Sequence, residues 1–94
     1  MAAAVTPDVQ KALDALRRAG YSVVEHAPQN GEIRFSFDNN GEYPVGSIVG
    51  HIRVRAQHGK YVGGRAQIGI RRKRDLKLRR LADVERLAKR DPYA

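Results

Sequence analysis

The chain has 94 residues, with 18 lysines and arginines against ten aspartates and glutamates, a formal net charge of +8, and no cysteine. That length holds one core and one domain, and the missing thiols exclude disulfides and cysteine-ligated metal. With 41% apolar residues the chain is not disordered throughout, and no apolar run approaches the roughly 18–20 residues of a membrane span.

Thr6-Pro7-Asp8 reads as a helix start: a threonine N-cap, proline at the first helical position and an acid in the first turn. Val9, Ala12, Leu13 and Leu16 follow at helical spacing and Gly20 offers a left-handed exit, so the pattern predicts a helix over 7–19. Arg17 and Arg18 sit in its last turn, where they complement the helix dipole. Two strands are expected next, at 21–27 and 32–38, separated by the turn residues "PQNG". The second alternates cleanly, Ile33, Phe35 and Phe37 against Arg34 and Ser36. Residues 39–46 read as a loop, with Asn-Gly and a proline. Further strands are expected at 47–57 and 61–72, joined around His58-Gly59-Lys60.

The remainder reads as a helix. Asp75 is the expected N-cap, Leu78, Leu81, Ala82, Val84, Leu87 and Ala88 form a broad apolar stripe, and Pro92 follows the stop. On that helix Arg79, Asp83, Arg86 and Arg90 would share a face, with Asp83 near Arg86 and Glu85 near Lys89. A rival reading makes 76–81 a fifth strand and starts the helix near Ala82. The expected fold is α+β: an N-terminal helix, a four-stranded antiparallel sheet and a C-terminal helix, both helices packed on one sheet face. It is a single domain over 1–94, with loosely held ends at 1–5 and 91–94. Met1–Val5 lacks the basic segment of a signal peptide, so the expected location is cytoplasmic.

The charge is unevenly placed. Residues 1–50 hold four basic and six acidic side chains, a net of −2; residues 51–94 hold fourteen and four, a net of +10. From Gly50 to Arg74 there is no acid at all. Strand geometry sends alternate side chains to opposite faces. Ile52, Val54 and Ala56 then oppose His51, Arg53, Arg55 and Gln57, while Ala66, Ile68 and Ile70 oppose Arg65, Gln67, Gly69 and Arg71. The apolar set builds a core, and the polar set, extended by Arg34, builds a cationic sheet face. Arginine forks onto phosphate, so the expected partner is nucleic acid. The run Arg71, Arg72, Lys73 and Arg74, together with Lys60 in the hairpin, adds phosphate contacts. Gln57 and Gln67 could read base edges or sugar hydroxyls. A two-stranded ribbon fits the major groove of B-DNA and not the deep groove of A-form RNA, which favours DNA slightly. Tyr61 is the aromatic best placed to stack; Phe35 and Phe37 share a face with Ile33 and belong to the core.

Enzyme chemistry finds little support. His26, His51 and His58 have no zinc spacing, and the glycines form no nucleotide-binding signature, so no metal and no cofactor is expected. "LRRAGYSVVEHAPQNGEIRF" resembles the opening of the HicA-type toxin ribonucleases, which implies a double-stranded-RNA-binding-like fold. Gly31-Glu32-Ile33 occupies the place of that family's catalytic histidine, so the activity is not implied. "SIV", eleven residues and then "YVG" resembles the spacing of the GIY-YIG nucleases, but the first tyrosine is missing, so the activity is not implied. A metal-dependent nuclease would need clustered carboxylates, for which Glu32, Asp38 and Glu42 are the candidates. The expectation is a binding protein without catalysis. Its rival is a protein-interaction module, an inhibitor or adaptor of the kind phages and plasmids encode, docking its basic face on an acidic partner.

Overall fold

The computed structural model describes residues 5–40, 47–69 and 74–90. Helix α1, Pro7–Arg18, forms where its start signals stand, with Thr6 extended at the N-cap and Asp8 in the first turn. It buries Val9, Ala12, Leu13 and Leu16. Gly20, at φ +96°, turns the chain into a position that L side chains rarely adopt. Tyr21 is buried there, its ring edge-on to Phe37 at 5.7 Å.

Five strands follow, β1 (Ser22–Glu25), β2 (Glu32–Asp38), β3 (Ile48–Arg55), β4 (Tyr61–Ile68) and β5 (Arg74–Lys77), and then helix α2 (Leu81–Ala88). They form one antiparallel sheet in the order β1-β2-β3-β4-β5. The α+β class holds, with five strands in place of the expected four. Asp75 is not a helix cap: it lies within β5 opposite Gln67. The period of two in Asp75, Leu76, Lys77, Leu78 prevails over the helical stripe because β4 offers an edge of unpaired backbone groups to bond. The helix starts later, at Leu81, where the Asp83 carboxylate accepts the Arg80 N–H at 3.0 Å. Arg79 therefore precedes the helix whose face it was expected to share. Asp83 pairs with Arg86 as expected, at 3.7 Å, while Glu85 lies 4.0 Å from Lys11 of α1.

The third strand ends at Arg55, two residues early. Ala56–Gly59 form the turn, with His58 at φ +73° and Gly59 at φ +69°, and two successive left-handed residues cannot continue a strand. Ala56, expected in the core, is exposed there.

One face of the sheet joins both helices in a single core. Ile33, Phe35 and Phe37 of β2, Ile48, Ile52 and Val54 of β3, and Ala66 and Ile68 of β4 cluster with the buried residues of α1 and with Val84 and Leu87 of α2. Val5, expected in a loose end, packs against this cluster. The ends 1–4 and 91–94, residues 41–46 of the expected loop, and residues 70–73 of the expected strand end and basic run lie outside the described residues. Among the described residues no helix is long and apolar enough to cross a membrane.

Tyr61 belongs to this core side. Its hydroxyl donates to the Leu78 carbonyl and so ties β4 to the approach to α2, which removes it from any stacking role. Burial, and then the Asp83 carboxylate, push its phenol up to about 12. A phenol raised above its unfolded value of about 10 stabilises the fold below that value, and the contribution is lost as pH rises from about 10 to 12. Tyr61→Phe is therefore expected to cost about 1–3 kcal/mol near pH 8, by leaving the Leu78 carbonyl unpaired. The gap between the two proteins should narrow by pH 11.5, as read by urea unfolding; a gap that widens with pH would contradict this role. Tyr21, also raised by burial, lowers alkaline stability equally in both proteins.

Candidate nucleic-acid interface

No element covers the second sheet face among the described residues, and the strand register decides what it presents. Arg34 of β2 stands opposite Arg53 of β3, which stands opposite Gly63 of β4. The adjacent row runs Val24, Ser36, His51, Arg65, Lys77 across all five strands. The next runs Ser22, Asp38, Val49, Gln67, Asp75, and at the opposite end Glu32 faces Arg55. Basic side chains thus occupy the middle of the face, and carboxylates stand at its two ends.

Little among the described residues neutralises that middle. Glu32 lies 3.5 Å from the Arg53 guanidinium, a pairing the sequence reading missed because the two residues fall in different halves of the chain. Arg34, Arg55, Arg65 and Lys77 have no carboxylate within 4.0 Å among the described residues. His51 registers the resulting field. Burial, and then the charges of Arg34, Arg53 and Arg65, hold its imidazole below the ordinary value, so it is mostly neutral near pH 7. His26 Nε2 lies 2.7 Å from Ser36 Oγ and extends the face beyond β1.

Three shallow concavities mark this face. One of about 310 Å³ lies by His26, Arg34 and Arg53, one of about 340 Å³ by Arg34, His51 and Gln67, and one of about 310 Å³ by Arg53, Arg65 and Lys77. Most of the residues that line them are charged or polar.

Of the residues predicted to contact nucleic acid, Arg34, Arg53, Arg55, Arg65 and Gln67 share the open face. Gln57 and Lys60 do not join it: both are exposed in the β3–β4 connection, since β3 ends at Arg55. Arg74 opens β5 opposite Ile68, which puts it on the core side of the sheet at an exposed corner. Arg71, Arg72 and Lys73 lie outside the described residues. Lys77 and Arg79 were missed because they were assigned to a helix; the leucine alternation in "DLKL" was the signal that could have placed them. Glu32 and Asp38 stand at opposite ends of β2, about 20 Å apart at strand rise, so they form no catalytic pair. Glu42 lies outside the described residues.

The pair β3–β4 is not a free two-stranded ribbon. β3 and β4 are flanked by β2 and β5, and five strands span about 19 Å from first to last at the usual spacing. The B-DNA major groove is only about 12 Å wide. Comparison with known proteins returns no match, whether to a family model, a curated protein or a solved structure.

Proposed function

We propose that the protein binds nucleic acid by laying its open sheet face on the phosphate backbone. The observation that carries this reading is the set of four open-face cations, Arg34, Arg55, Arg65 and Lys77, without carboxylate partners among the described residues. Like charges across a sheet cost stability, and a polyanion relieves that cost. The described open-face positions carry no phenylalanine, tyrosine or tryptophan, so a base-stacking platform is not part of the reading. Contacts go to phosphate, with Gln67 and the arginines supplying any preference among sequences. DNA or RNA is met as a charged surface, without catalysis and without metal or cofactor. A cytoplasmic location goes with this reading.

A second reading has one observation in its favour. Val24 and Val49, 55% and 48% exposed, lie on the same face and could anchor an acidic protein partner. Fluorescence anisotropy against duplex DNA, single-stranded DNA and duplex RNA separates the two. With about four to six phosphates neutralised, affinity for the preferred polymer falls on the order of a hundred- to a thousandfold between 50 and 200 mM salt. Absence of binding to all three at low salt turns the reading towards a protein.

A further inference from the structure

Gly63 leaves a gap in the open face. It stands opposite Arg53 beside an irregularity in the β3–β4 register, and a Cβ built on it would meet only an Arg53 guanidinium nitrogen, at 3.6 Å. The basin over it holds about 310 Å³. Its walls are His51 and Arg53 from β3, Arg65 from β4, Lys77 from β5 and Arg79 just beyond, and its other lining residues are Val62, Gly64 and Leu78. Among the described residues no carboxylate lines it. The Arg53 Nε is buried without an acceptor, while the far end of that guanidinium reaches Glu32 outside the basin.

We propose that this basin seats a phosphate dianion, either the terminal phosphate of a nucleic-acid strand or free phosphate. The inference rests on the reading of the open face as a nucleic-acid interface and names the feature of the strand that one part of it recognises. A bridging phosphodiester carries one negative charge, which a single cation offsets. Four permanent cations converge here, which suits a terminal monoester with about −1.5 to −2 charges and three acceptor oxygens. The seat also changes the state of His51. Arg34 and Ser36 face that imidazole from β2, Arg53 adjoins it on β3, Arg65 stands opposite on β4, and Lys77 lies one strand further. Burial, and then the charges of Arg34, Arg53 and Arg65, disfavour its protonation; a seated dianion offsets part of that charge, so the imidazole takes up a proton at higher pH than in the free protein.

The test compares one oligonucleotide with a 5′-phosphate and with a 5′-hydroxyl, and follows the His51 ring by NMR with inorganic phosphate. The expected result is about tenfold tighter binding of the phosphorylated strand, from its added charge-assisted hydrogen bonds. Phosphate should also move the His51 titration to higher pH. Arg79→Gln should remove the tenfold preference, read as the ratio of the two strands' affinities for that same variant, whatever its effect on the binding of either strand alone. Equal binding of the two strands with a steep salt dependence, and an unmoved His51, overturns the seat and leaves the interface standing. If neither strand binds while phosphate still shifts His51, the interface reading falls and the seat remains as a phosphate site. Silence in every arm overturns both.

Discussion

Arg53→Glu/Arg65→Glu is expected to lower nucleic-acid affinity by about a hundredfold or more at 0.1 M salt while leaving the fold intact. Each phosphate contact contributes about 0.9 to the slope of log affinity against log salt, so two lost contacts remove nearly two decades at that concentration. The new carboxylates then repel the backbone, which deepens the loss. Arg65 is exposed and Arg53 half-buried, and neither belongs to the core cluster, so circular dichroism and thermal unfolding should stay close to wild type. The salt slope is the informative readout. A variant that binds more weakly but keeps the wild-type slope has lost something other than phosphate contacts.

Gly50→Val is expected to cost about 3 kcal/mol or more, a large share of the ~5–14 kcal/mol typical of a domain this size. Gly50 stands opposite Phe37 on the core side of the sheet, where the missing side chain makes room for the ring. A Cβ there would lie 2.7 Å from the Phe37 ring, 2.3 Å from the Arg65 carbonyl oxygen and 2.9 Å from the Ala66 Cα. Two of those three contacts are backbone, so relaxing a single side chain cannot relieve them. Val49→Ala, one residue earlier on the open face and 48% exposed in the parent, should change stability by less than about 0.5 kcal/mol. Urea unfolding of both variants decides the matter, and equal stabilities would contradict the packing assigned to Gly50.

The first half of the fold was legible because its local signals agree. Thr6-Pro7-Asp8 and Gly20 bracket one helical stripe, and Ile33, Phe35 and Phe37 alternate without ambiguity, so α1 and β2 lie where the pattern puts them. The tail was misread because its leucines satisfy two periods. Leu78, Leu81, Val84 and Leu87 suit a helix, while Leu76 and Leu78 suit a strand, and only the edge of β4 decides between them. That tertiary choice moved Lys77 onto the open face and took Arg74 from the expected basic run into β5, on the core side of the sheet. The Arg53–Glu32 pair was invisible for a similar reason: it depends on the register in which β2 meets β3, which alternation within either strand does not specify. Alternation did place Arg53, Arg55 and Arg65 on one face, because side-chain parity is a local property once a strand exists.

The most direct test of the open face as a polyanion surface is an amide and side-chain NMR titration of the isotope-labelled protein with a short DNA duplex at low salt. Shifts should concentrate on Arg34, His51, Arg53, Arg65, Gln67 and Lys77 across β2 to β5, and fade as salt rises from 50 to 200 mM. The exposed residues of α1 and α2, Arg17, Arg18 and Arg86 among them, should stay unmoved although they are equally basic. Shifts confined to the helices, or spread evenly over every arginine, would contradict the account.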